Sequence, residues 1–184
     1  ISPMSILAEK GISLFLNLSA SPFTMGKDGK RHRMFSESLS RLSIPMLYVN
    51  RRGLENNGKD CYTYDGMTAA YDKDGQLIAE ANPFTDERST SYFNQETLTL
   101  APETEMEPTD ENLLLPAFRY GTSEFLKAIG ASKVVIGVSG GIDSAVNAAL
   151  YRSILPAENI LLVNTPTRYN SELTKGLAAE LAKN

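Results

Sequence analysis

The chain has 184 residues, a formal net charge of −4 and 42% hydrophobic residues. That is enough apolar material for a packed core, without the excess of positive charge that tracks a nucleic-acid backbone. No apolar run approaches the roughly 20 residues of a membrane span. The one cysteine, Cys61, excludes an internal disulfide framework, and with no secretory signal pattern the composition points to a reducing, cytoplasmic setting. The single basic cluster, Lys27, Lys30, Arg31 and Arg33, reads as a solvated turn and helix start.

In chain order, SPMSILAEK reads as a short helix closed by Gly11, and ISLFLNL as a buried strand. A loop follows to about residue 29. Met34, Phe35, Leu39 and Leu42 then recur at helical spacing over residues 31–42, and Pro45 opens the strand PMLYVN. Residues 53–60 read as a polar loop. Two alternating runs, 62–71 and 76–81, are joined by Lys73-Asp74-Gly75, a hairpin signal, and one more strand fits residues 96–100. Residues 101–111 carry two prolines and five acidic residues and mark a linker. Beyond it the pattern alternates: a helix at about 110–129, a strand at 133–138, a helix at about 144–155, a strand at 159–163 and a helix from near Ser171. That order belongs to a parallel sheet with crossover helices. Residues 1–100, 101–111 and 112–184 are therefore expected to form a first domain, a linker and a second domain. The chain opens at Ile1 and stops at Asn184 directly after a helical pattern, so it is expected to be a piece of a longer protein.

The segment with the clearest chemistry is VVIGVSGGIDSAVNAALY, which sets Ser139, Gly140, Gly141, Ile142, Asp143 and Ser144 between a buried strand and a helix. Unpaired amides and the dipole at a helix start favour an anion. Glycines let the backbone approach phosphate oxygens, Ser139 and Ser144 add hydroxyls, and Asp143 supplies the hard oxygen that Mg2+ needs beside a triphosphate. The kinase-type loop is excluded, because no lysine stands in the required place, and the dinucleotide fingerprint fails at its second glycine. Gly137-Val138-Ser139-Gly140-Gly141 fits an esterase elbow. That chemistry needs a downstream histidine, and the only histidine, His32, lies upstream. A glycine turn that merely closes strand against helix is the non-functional alternative.

SGGIDS resembles the pyrophosphate loop of the N-type ATP pyrophosphatases. The stretch from SKVVIGVSGGIDSAVNAAL through LLVNTPTRYNSELTKGLAAELA resembles the synthetase domain of NAD synthetases. The resemblance implies that residues 139–144 hold the ATP phosphates and that Asp143 helps bind Mg2+. It also implies that the deamido precursor of NAD is activated as an acyl-adenylate and amidated by ammonia. Asn164 and Arg168 would border the adenosine, with a plain surface-loop role as the alternative for Arg168.

The first hundred residues carry a second resemblance. GISLFLNLSASPFTMGKDGKRHRMF, IPMLYVNRRG and YDGMTAAYDKDGQLIAEA are similar to the later half of nitrilase-type glutaminase domains. Glutamine-dependent NAD synthetases join the two domains in this order. Their glutaminases use a Cys, Glu, Lys set, which would lie upstream of Ile1, so no catalytic residue is expected in this chain. Cys61 sits in a loop-to-strand stretch with no helix start to activate it and reads as structural. By resemblance Ser21 contacts glutamine, and Lys27 contacts it or orders the loop. Turn chemistry is the alternative for both.

The expected fold is α/β: part of a nitrilase-like α-β-β-α sandwich followed by part of a parallel-sheet PP-loop domain. Expected partners are ATP, deamido-NAD and glutamine, with no nucleic acid and no membrane, and a homo-oligomer in the full-length protein. The alternatives are a GMP- or asparagine-synthetase-like enzyme with the same loop, or a non-catalytic nucleotide-binding module.

Overall fold

A computed structural model describes residues 2–104 and 112–183. The chain divides into two compact units, Ile1–Ala117 and Phe118–Asn184. Of the expected linker, residues 105–111 lie outside the described residues.

The first unit begins with α1 (Pro3–Ala8) and β1 (Phe15–Ser19), followed by α2 (Lys27–Leu42) and β2 (Met46–Asn50). β1 and β2 are parallel, with Phe15 opposite Met46. β3 (Arg52–Asn56) and β4 (Cys61–Asp65) form an antiparallel hairpin, and β5 (Ala69–Tyr71) and β6 (Leu77–Glu80) complete a mixed sheet of order β1-β2-β5-β6. β7 (Ser91–Asn94) and β8 (Thr99–Pro102) form a separate hairpin.

The core lies where α2 crosses this sheet. Phe35 and Leu39 stand one helical turn apart on α2 and are buried with Phe15, Ile44, Met46, Tyr48, Ala69 and Tyr71. Phe35 packs its ring 5.4 Å from Tyr48 and edge-on 5.7 Å from Tyr71. The strands alternate, so the opposite sheet face turns Leu16 and Leu18 outward at 66% and 79% exposure. The β5–β6 turn needs Gly75, whose φ is +81° and where any Cβ would overlap the Ser36 carbonyl of α2.

Several elements differ from expectation. α2 starts at Lys27, a turn earlier than the apolar spacing showed, because its first turn is polar. The first half of the polar stretch 53–60 is strand, since the Arg52–Asn56 backbone pairs with β4 despite its Gly, Glu and Asn residues. The 62–71 run is two strands, broken at Gly66 with φ +71°. The strand expected at 96–100 is the return arm β8, entered from a turn in which Leu98 adopts φ +52°.

α2 also carries a charged cluster. His32 Nε2 lies 3.0 Å from both Asp28 Oδ2 and Glu80 Oε1, Nδ1 bonds the Tyr71 hydroxyl, and Arg31 pairs with Asp28 and donates to the Tyr48 hydroxyl at 3.1 Å. A single Nε2–H serves one acceptor, Asp28, so the Glu80 contact is an ion pair. Burial opposes the charged ring, but the Asp28 bond and Glu80 outweigh it and raise the His32 pKa from 6.5 to about 9. The folded value exceeds the unfolded one, so the stabilisation is complete below pH 6.5 and disappears as pH rises through 9. Wild-type stability in urea is expected to fall by roughly 1–2 kcal/mol across that window, the partial exposure of the ring screening the full effect. In His32→Gln it should stay flat there. An equal decline in the variant would assign the loss to another group.

The second unit holds α3 (Leu114–Ile129), whose first turn overlaps the boundary, then β9 (Val134–Gly137), α4 (Ile142–Arg152), β10 (Ile160–Val163) and α5 (Glu172–Leu181). β9 and β10 are parallel, with Ile160 opposite Val134. Ile136, Val138, Ala148 and Ala178 form a core between the sheet, α4 and α5. Val135 and Leu161 on the other face are 70% and 59% exposed.

Candidate functional site

The loop between β9 and α4 is assembled from local chemistry. Val138 continues the strand direction, with its N–H bonded to the Val163 carbonyl at 2.9 Å. Ser139 follows, and Gly140 turns the chain with φ +85°, a conformation glycine adopts without penalty. Gly140 sits so close to α5 that an added Cβ would overlap the Thr174 carbonyl. Gly141 is the N-cap of α4 and supplies no side-chain cap.

The serine hydroxyls brace this turn. Ser144 Oγ accepts the Ser139 N–H at 3.2 Å and donates to the Gly141 carbonyl at 3.0 Å, while Ser139 Oγ accepts the Gly141 N–H at 3.3 Å. The two oxygens are 3.3 Å apart. Ser144 is thus largely engaged in building the loop. Among the described residues, no hydrogen bond takes up the amides of Gly140, Ile142, Asp143 or Ser144. Asp143 is exposed in the first turn of α4, its carboxylate with no ion pair or hydrogen bond among the described residues. Open amides, the positive end of a helix dipole and a free carboxylate can accept a polyphosphate together with its cation.

Asn164 and Arg168 follow β10. The Asn164 side chain donates through Nδ2 to the Val138 carbonyl at 2.6 Å, tying the end of β10 to the base of the loop. Arg168 lies over the Tyr169 ring at 4.9 Å and donates to its hydroxyl, at the exposed tip of the segment. Ser171 caps α5 by accepting the Thr174 N–H at 3.2 Å. The Thr174 contact with Gly140 was not visible in the sequence; thirty-odd residues separate the partners, and only the fold brings α5 against the loop.

In the first unit, Ser21 lies in the half-buried turn after β1. Its N–H donates to Asn50 Oδ1 at 2.9 Å, its carbonyl accepts from Asn50 Nδ2 at 3.1 Å, and its hydroxyl has no protein partner among the described residues. Lys27 Nζ donates to the Pro22 carbonyl at 3.1 Å, geometry that favours ordering the loop over meeting a ligand. Cys61 is exposed at the start of β4. No helix among the described residues is long and apolar enough to cross a membrane.

Comparison with known proteins bears on both units. Residues 119–184 match the family NAD synthase. The chain is 32% identical over its whole length to the glutamine-dependent NAD(+) synthetase of Synechocystis, and 31% identical over 97% of its length to that of Xylella fastidiosa. It superposes with a TM-score of 0.85 on the glutamine-dependent NAD+ synthetase of Acinetobacter baumannii in complex with ADP, at 26% identity over 98% of this chain and 34% of that one. Along its whole length the chain resembles a contiguous segment of glutamine-dependent NAD synthetases. It spans about a third of the length of the curated relatives it matches. The synthetase from Cytophaga hutchinsonii shares the fold, with a TM-score of 0.66 over 95% of this chain. The mixed sheet under α2 is thus part of a nitrilase-like sandwich, and β9–α4–β10 is part of a PP-loop domain, the fold expected for a glutamine-dependent NAD synthetase.

Proposed function

We propose that residues 139–144 bind the phosphates of ATP in an enzyme that amidates nicotinic acid adenine dinucleotide to NAD with ammonia drawn from glutamine. The observation that carries this reading is the set of open amides of Gly140, Ile142, Asp143 and Ser144, held in one conformation by the Ser139–Ser144 brace at the head of α4. The ADP-bound Acinetobacter relative supports an adenine nucleotide as the ligand.

In this reading the substrate carboxylate attacks the α-phosphorus, the bond to pyrophosphate breaks and an acyl-adenylate forms. Ammonia then attacks the acyl carbon and AMP departs. The amides of Gly140, Ile142, Asp143 and Ser144 and the hydroxyl of Ser139 stabilise the departing pyrophosphate charge. The unpaired Asp143 carboxylate has the hard-oxygen chemistry Mg2+ requires and would hold it; when bound, the ion neutralises phosphate charge. Asn164 fixes the loop base beneath the adenosine side, and Arg168 borders that side. Ser21 receives glutamine in the first unit, whose Cys, Glu, Lys set is supplied from a preceding segment. The chain is accordingly a piece of a longer cytoplasmic enzyme that works as a homo-oligomer.

The full-length protein, given ATP, Mg2+ and ammonia, is expected to consume deamido-NAD and release AMP and pyrophosphate, leaving XMP and aspartate untouched. Turnover of XMP or aspartate instead would assign the loop to another amide-forming ligase. The 184-residue chain alone is expected to release no ammonia from glutamine, and detectable release would refute the placement of the nucleophile.

A further inference from the structure

We propose that Asn50, oriented by Asp65, is a positioning residue that holds the Ser21 turn in its glutamine-accepting shape. The inference rests on the function proposed above and assigns roles to two residues that neither sequence pattern nor comparison singles out.

Asn50 ends β2 and is only 6% exposed. Its side chain grips the backbone of one residue at two points, accepting the Ser21 N–H at 2.9 Å and donating to the Ser21 carbonyl at 3.1 Å. A neighbouring strand would make the same pair of bonds; here one amide side chain replaces it. Among the described residues the Ser21 N–H has no other partner, and an isolated antiparallel bridge between Pro22 and Tyr64 ties the next residue to β4. The flanks of the turn are held independently. The Arg51 N–H bonds the Ser19 carbonyl at 2.8 Å, and the Phe23 N–H bonds the Thr63 carbonyl at 2.7 Å. Loss of Asn50 would therefore release the middle of the turn and leave its ends in place.

The remaining Asn50 Nδ2 hydrogen goes to Asp65 Oδ1 at 2.7 Å, and Asp65 is 4% exposed. The same Oδ1 accepts the Met67 N–H at 3.1 Å, which fixes the carboxylate where β4 ends. A flipped Asn50 amide would set oxygen against oxygen at Asp65 and again at the Ser21 carbonyl. Asp65 therefore selects the one amide orientation that matches the Ser21 backbone. The Ser21 hydroxyl, with no protein partner among the described residues, is left free to meet a ligand.

The test uses the full-length protein, because ammonia-supported synthesis bypasses glutamine and reports the integrity of the rest. Asn50→Ala and Asp65→Ala are each expected to raise KM for glutamine about tenfold, the scale of one or two lost hydrogen bonds. NAD formation from added ammonia should stay within about twofold of wild type, a change too small to represent a lost hydrogen bond. In the 184-residue chain, Asn50→Ala should speed hydrogen exchange at the Ser21 amide and leave the Phe23 amide protected. Unchanged glutamine KM in both variants, or a parallel fall in ammonia-supported synthesis, would overturn the proposal. Wild-type protein that makes NAD from ammonia but not from glutamine would remove the glutaminase reading itself, and this proposal with it.

Discussion

Gly140→Ala is expected to weaken ADP binding by at least about 100-fold and to destabilise the second unit by roughly 2–4 kcal/mol. Two independent effects converge on this residue. The left-handed conformation at φ +85° strains any side chain. The new methyl would also overlap the Thr174 carbonyl oxygen and lie 2.7 Å from its carbonyl carbon and 2.9 Å from its Cα. All three atoms belong to the backbone of α5, so no rotamer change relieves the overlap. Either the loop loses the turn that presents its amides, or α5 shifts and draws Ala178 away from Ile136, Val138 and Ala148 in the core. Gly137→Ala provides the contrast, because nothing lies within 4 Å of an added Cβ there. Calorimetric titration with MgADP and urea denaturation should separate the two variants. Equal affinities would show that the loop tolerates the altered turn.

Asp143→Asn is expected to abolish the magnesium dependence of nucleotide binding. An aspartate in the first turn of α4 favours the helix dipole but repels a polyphosphate held on the same amides. Among the described residues no cation neutralises it. Without Mg2+, removing the charge should tighten ADP binding a few-fold, the scale of screened repulsion between exposed charges. With Mg2+, the lost ligand should weaken binding by about 10- to 100-fold. The decisive quantity is the ratio of affinities with and without Mg2+, large in wild type and near unity in the variant. A ratio unchanged by the substitution would remove Asp143 from the metal site.

These features differ in how far the sequence disclosed them. The strand, paired glycines and helix around residues 134–152 are specified within one short segment, so the turn was readable from local chemistry alone. The division of labour inside it was not. The pattern offers Ser144 as a ligand hydroxyl and gives no sign that it also braces Ser139 and Gly141. The partners that fix both sites are distant in sequence: Asn164 holds Val138, Thr174 crowds Gly140, and Asn50 with Asp65 holds Ser21. Each is a polar residue whose role exists only after tertiary packing, and none has a periodicity to betray it. β3 was hidden for a related reason, since its Gly, Glu and Asn become strand only through pairing with β4.

The most direct test is a titration of the isotope-labelled 184-residue chain with MgADP, followed amide by amide in solution. The largest shifts are expected at Gly140, Ile142, Asp143 and Ser144, saturating together and absent in Gly140→Ala. Saturable shifts that leave these amides unmoved and cluster elsewhere would contradict a phosphate-holding loop at the head of α4.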